Sequence, residues 1–265
     1  MKVVDTVKKR SSFQIFLDVQ KALFFRELGM RFSSGRMGIF WTFFEPFFQI
    51  LFFVMIKVFI FGRSSNEFDF TAFIALNFIA FNMFKNIVMK SSGAFKANKN
   101  LFVYKQVRPI DTIVARTLVE VFITSIIIII FFSIALYFGY DTNIKDLTMV
   151  TLGFITLLIF AFSFSLFVAN FIFLEEGIKK VISFLMTALM FTSAIFYTVG
   201  MLPVQLQNII LYNPVVHFIE LIHGSYFLGL DDKFVSYEYM LLWIMFLLYS
   251  GLWIYEKLEK RIISS

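Results

Sequence analysis

In "NPVVHFIELIHG", His217, Glu220 and His223 follow one another at intervals of three residues. On a helix the acid neighbours each imidazole while the two imidazoles point well apart, which suits a hydrogen-bonded polar cluster better than a metal site. Glu45 and Pro46 stand inside an apolar run, "GIFWTFFEPFFQILFF", where an acid and a helix-breaker need a reason. The stretch "GMRFSSGR" hints at a phosphate loop, yet its spacing is wrong, it lacks the Lys-Ser/Thr ending and it follows no strand. There is no cysteine, which excludes disulfides, thiolate metal sites and a cysteine nucleophile. No cluster of acids or histidines gathers as a membrane phosphotransferase or acyltransferase would need. The expectation is a chain with no catalytic or metal-ligating residues.

The elements that carry these residues belong in lipid. The 265 residues are 59% apolar, 20% aromatic and only 16% charged, far from the balance of a soluble domain. Six runs are long enough to cross a hydrocarbon core of about 30 Å: residues 39–61, 70–89, 113–137, 148–173, 181–200 and 237–255. No small-residue cleavage site follows the first run, so a removable signal peptide is not expected. The chain reads as one all-α integral membrane domain, 1–265, made of a head (1–38), spans one to five (39–200), an external segment (201–236), and span six with its tail (237–265). Among 24 Lys and Arg, only Arg63, Lys145 and Lys233 fall on the side opposite the basic head and the loops after spans two, four and six, while Lys57, Lys85 and Arg116 sit in or near spans. Because Lys and Arg accumulate in cytoplasmic loops, both termini are expected in the cytoplasm, and the net charge of +6 gives no reason to expect nucleic acid.

Four segments shape the functional reading. In "FQIFLDVQKALFFRELGMRF" apolar and charged residues alternate at helical spacing, predicting an N-terminal interface helix that lies on the inner membrane surface or packs on the ends of the spans. The loop "KSSGAFKANKNLFVYKQVRPID" is basic with apolar points at Phe95, Leu101, Phe102 and Tyr104, a composition suited to docking another protein. The segment 201–236 is too broken by Pro203, Asn213, Pro214 and Gly224 to span and too apolar to be a solvated loop, so two re-entrant helices joined at Asn213-Pro214 are predicted. Most boundary aromatics, Trp41, Tyr137, Tyr197, Trp243 and Tyr255, are expected to be headgroup anchors; Tyr212 and Tyr226 are the candidates for substrate contact. Glu45 and Pro46 should form a polar notch, filled either by a structural partner, Arg116 or Lys85, or by the polar head of an entering substrate. The sign of the charge favours the pair, and Glu45, Pro46 and Arg116 are the candidate gate.

Taken together, "SSGRMGIFWTFFEP", "ANKNLFVYKQVRPID" and "YNPVVHFIELIHGSYF" resemble, in this order and over essentially the whole chain, the permease subunit of type-2 ABC exporters, in its capsular polysaccharide export branch. The resemblance implies a homodimer in the bacterial inner membrane, paired with two copies of a separate nucleotide-binding ATPase that binds the ATP and Mg, so this chain itself carries no cofactor. It implies export of a lipid-linked polysaccharide, with periplasmic and outer-membrane export proteins as further partners. It places a coupling helix in about 90–111, with Phe95, Asn98, Asn100, Leu101, Phe102 and Tyr104 facing the ATPase, and re-entrant helices in about 202–230. Other glycans, O-antigen or teichoic acid, stay open, as does a secondary transporter or channel, although such transporters show internal repeats that are missing here.

Overall fold

The computed structural model describes residues 11–32, 36–61, 70–137 and 143–264, and all the regular structure among them is helical. In chain order the helices are α1 (Ser12–Phe32), α2 (Arg36–Phe61), α3 (Phe70–Ser91), α4 (Ala94–Ala97), α5 (Pro109–Tyr137), α6 (Leu147–Leu174), α7 (Ile178–Thr192), α8 (Val204–Ile210), α9 (Pro214–Tyr226) and α10 (Tyr237–Ser264). Arg63 and the basic residues before Ser11 lie outside the described residues, as do residues 33–35.

Among the described residues, α3, α5, α6 and α10 are long and apolar enough to cross a membrane, and α2 contributes a shorter apolar stretch, Phe40–Phe53. The expected fifth span differs: α7 stops at Thr192 instead of continuing to Gly200, and buried Ala194 turns the chain with a left-handed φ of 56°. The last helix runs past Tyr255 to Ser264, because Leu258 and Ile262 pack onto the bundle as its charged residues face out.

Helix α3 is the hub. It touches α2, α5, α6, α7 and α9, so Phe73, Phe78, Phe81 and Phe84 are all buried. Phe84 stacks on Phe160 of α6, which packs against Phe218 of α9. Two glycines let helices meet closely: a Cβ on Gly153 would lie 2.7 Å from Ile222 Cγ1, and one on Gly251 3.2 Å from the backbone nitrogen of Phe167. At the second crossing Asn170 Nδ2 donates to Gly251 O across 2.9 Å, giving a backbone acceptor in the apolar interior a second partner.

The expected pair of short helices is present, with an asymmetry. Asn213 caps α9, its Oδ1 accepting from Val215 N at 3.0 Å while Pro214 takes the first helical position, where a missing N–H costs nothing. From Val215 to Tyr226 every residue of α9 is buried, whereas α8 has none buried. Lys145, read as an isolated outer charge, fastens the loop before α6 to this segment: its Nζ donates to Leu230 O at 2.7 Å and Gly224 O at 3.2 Å.

Helix α1 packs on α5 and α2. Leu23, Phe24 and Leu28 join the bundle, yet Phe13, Phe16, Leu17 and Phe25 face outward, and Gln20, Glu27 and Arg31 turn into the seam. Its polar and apolar residues are therefore not segregated between water and lipid. The helix packs on the ends of the spans while offering an apolar flank to its surroundings.

Candidate functional site

A polar cleft of about 200 Å3 opens between α2, α3 and α5. Its walls follow from helical spacing: Thr42, Glu45 and Gln49 share one face of α2, Asn82, Asn86 and Lys90 one face of α3, and Glu120 and Thr124 one face of α5, with Arg31 closing the basic end. Polar side chains in lipid need partners. Asn82 Nδ2 donates to Gln49 Oε1 at 3.0 Å, and Gln49 Nε2 donates to Glu45 Oε1 at 3.3 Å. Helix α2 is continuous through Pro46, which is buried against the cleft; lacking an amide hydrogen, it leaves the Thr42 carbonyl without its usual donor. Thr42 itself donates its hydroxyl to Gly38 O at 2.8 Å.

The expected pairing of Glu45 with Arg116 is not formed. Arg116 Nε pairs with Glu27 Oε2 at 3.1 Å and its Nη1 donates to Lys90 O at 2.6 Å. The physical reason is the packing of α1 over the basic end of α5, which brings a nearer carboxylate to that guanidinium. Glu45 stays with Gln49 and is exposed; Lys85 is half-buried on α3. The side chain of Lys57 lies outside the described residues.

Two acids that the sequence reading did not single out hold the basic end together. Glu120 Oε1 accepts from Arg31 Nη2 and lies 3.5 Å from Lys90 Nζ. Glu27 pairs with Arg116 and also with Arg26 at 3.3 Å. A sequence signal existed for the first: Arg116 and Glu120 sit one turn apart near the start of a span, where an acid needs a cation from another helix.

The basic loop folds back on its own bundle. Phe95 and Phe102, read as anchors for a partner, are buried with Ile113, Ala169, Tyr255 and Ile262. Asn98 is buried too: Arg26 Nη2 donates to its Oδ1, and its Nδ2 donates to Ala94 O at 3.0 Å. Leu101 is half-buried, so Asn100, Val103 and Tyr104 form the exposed tip, the last two 83% and 66% exposed. Lys96 Nζ bridges to Glu176 Oε1 at 2.9 Å, holding this loop beside the α6–α7 turn, and the ammonium lowers the carboxyl's pKa from its ordinary value. Tyr255, expected at a headgroup boundary, lies inside, 5.9 Å from the ring of Phe95.

At the opposite end, His217, Glu220 and His223 are structural ties. His217 Nε2 donates to Leu211 O at 2.9 Å while its Nδ1 accepts from Ser236 N at 3.2 Å. His223 Nδ1 donates to Asn77 Oδ1 at 3.1 Å, and Asn77 Nδ2 donates to Ile195 O at 3.1 Å. Glu220 Oε1 accepts from Val199 N at 2.6 Å and stands 3.4 Å from His223 Nε2. This buried chain clamps the broken end of α7 between α3 and α9. Of the two tyrosines proposed for substrate contact, Tyr212 is exposed and Tyr226 is buried, its ring lining an apolar pocket of about 250 Å3 with Phe131, Phe132 and Phe154.

Known proteins are similar to this chain in sequence. The "ABC-2 type transporter" family matches residues 20–227. The polysialic acid transport protein KpsM of Escherichia coli is 31% identical over 97% of this chain and 99% of its own. The capsule polysaccharide export inner-membrane proteins BexB of Haemophilus influenzae and CtrC of Neisseria meningitidis serogroup A are 29% and 28% identical, over 90% and 96% of this chain and 89% and 97% of theirs. With the family match covering most of the chain and these relatives aligning over nearly their full length, the chain belongs to the ABC-2 type transporter family of membrane permeases.

Proposed function

We propose that this chain is the membrane-spanning subunit of an ATP-driven exporter that carries a lipid-linked capsular polysaccharide across the bacterial inner membrane. The observation that carries the reading is the polar cleft: a row of amides, hydroxyls and carboxylates running from a basic mouth along three apolar helices gives a hydrophilic chain a path that lipid would deny it. The basic mouth faces the cytoplasm, where a separate ATPase binds ATP and Mg and docks on the loop whose tip is Asn100, Val103 and Tyr104. Two copies of the chain pair with two copies of that ATPase, and Glu45, exposed at membrane depth on one subunit, faces the shared path. Periplasmic and outer-membrane proteins continue the route.

The test is deletion in an encapsulated host, with surface and internal polysaccharide measured separately. Export by this chain predicts that polymer accumulates inside and surface capsule is lost, that the wild-type gene restores it, and that the tagged chain co-purifies with an ATPase. Unchanged surface capsule in the deletion would overturn the proposal.

A further inference from the structure

The mouth of the cleft holds more positive charge than its own acids neutralise. The groove just outside it, about 480 Å3, is lined by Arg31, Lys90, Arg116 and Lys179 against Glu27 and Glu120. Arg31, Lys90 and Glu120 line both groove and cleft, so they form the boundary between the two. There both cations converge on a single oxygen, Glu120 Oε1, of a carboxylate only 4% exposed. A planar guanidinium with a compact ammonium beside it is a site for an oxyanion, and here the protein supplies the oxyanion from its own chain.

We propose that Glu120 is an internal stand-in for the anionic head of a membrane lipid, and that a phosphate or carboxylate head group displaces it from Arg31 and Lys90 on passing from the groove into the cleft. Two features favour a lipid-borne anion over a free one. Beyond the boundary the polar row is backed by Ile79, Met83, Ile123 and Ile127, which suit an attached apolar chain. Outside it, α1 carries outward-facing Phe13, Phe16, Leu17 and Phe25, which would seat the mouth at the lipid surface. Exchange of one anion for another keeps the two cations paired throughout, and the displaced Glu120 carboxylate turns toward Arg116, one turn before it on α5 and lining the same groove, so no charge is stranded. The identity of the transported molecule rests on the exporter reading; the anion site itself does not.

The test uses the permease purified with its ATPase in phosphatidylcholine nanodiscs, titrated with radiolabelled dodecyl phosphate and, separately, with dodecyl glucoside and inorganic phosphate. Removing the internal competitor by Glu120→Gln should tighten dodecyl phosphate about tenfold, and Lys90→Gln should weaken it about tenfold, each the size of one modest charge contact. Lys90→Arg should keep wild-type affinity, and dodecyl glucoside should respond to none of these changes. If Glu120→Gln does not assemble, the two Lys90 variants decide alone. Equal dodecyl phosphate affinity in Lys90→Gln and wild type, or a dodecyl glucoside response of the same size, would overturn the proposal. Inorganic phosphate binding as tightly as dodecyl phosphate would overturn its lipid form. Export is scored in the same variants: unaltered probe binding with intact capsule sinks the anion site alone, whereas charge-dependent binding in a chain whose deletion leaves capsule untouched sinks the exporter reading alone.

Discussion

Glu220→Ala removes the acceptor that joins α9 to the end of α7. In the wild type, Glu220 Oε1 takes the Val199 amide proton at 2.6 Å, and both residues are buried, so water does not replace the lost partner. A buried N–H left without an acceptor costs about 1–3 kcal/mol, and bonds to a charged acceptor lie toward the upper part of that range. His223 Nε2 lies 3.4 Å from the same oxygen, so its surroundings change with the substitution as well. A total near 3 kcal/mol translates to a fall in Tm of roughly 5–10 °C for a chain of this size. Glu220→Gln keeps an oxygen for Val199 and should cost about 1 kcal/mol. The assay is thermal unfolding in detergent, with ATPase co-purification as a control, because the loop tip proposed to meet the ATPase lies at the far end of the bundle. Glu220→Ala melting within a degree of wild type, or Glu220→Gln as damaging as Glu220→Ala, would refute the clamp.

Exchange of Glu27 and Arg116 should restore part of the export lost in Glu27→Arg or Arg116→Glu alone, read as surface capsule; recovery stays partial because Arg116 also donates to Lys90 O. Gly153→Ala should destabilise by about 1–3 kcal/mol through the 2.7 Å contact with Ile222, and Gly153→Ala with Ile222→Ala should cost less than the two single changes added, in the same melting assay. The Lys96–Glu176 bridge, with its lowered carboxyl pKa, should hold the loop fully above the ordinary value of 4.5 and release it only as pH falls through the lowered one, so protease cleavage at the loop should stay constant from neutral pH down to that region. A reporter fused after Ser265 should report cytoplasm and one inserted near Asp231 the outer side; the same side for both would break the topology.

Much of the scaffold was legible because the apolar runs are long and their breaks carry strong turn chemistry. The runs 70–89 and 148–173 became α3 and α6 within two residues, and Asn213-Pro214 marked the start of α9. The end of α7 was not legible: "FTSAIFYTVG" holds no proline, and what stops the helix is a set of distant side chains, Asn77, Asn213 and Glu220, bonding to its backbone and hydroxyls. The partner of Arg116 was illegible for a related reason. Periodicity gives the faces of α1 but not which helix it folds against, and so not that Glu27 meets Arg116. Phe95 and Phe102 misled because a bulky residue in a basic loop looks alike whether it points at a partner or at its own core.

The early stop of α7 bears on the lipid as well as the protein. Its 15 residues rise about 22 Å, well short of a hydrocarbon core of about 30 Å, and residues 193–198 carry the chain onward without a regular helix. A bilayer meeting so short a wall thins locally instead of exposing irregular backbone to its tails. Beside α7 the two leaflets should therefore be pinched toward one another on the side of α8 and α9, and a hydrophilic polymer leaving there would have several ångströms less hydrocarbon to traverse than one crossing undisturbed membrane.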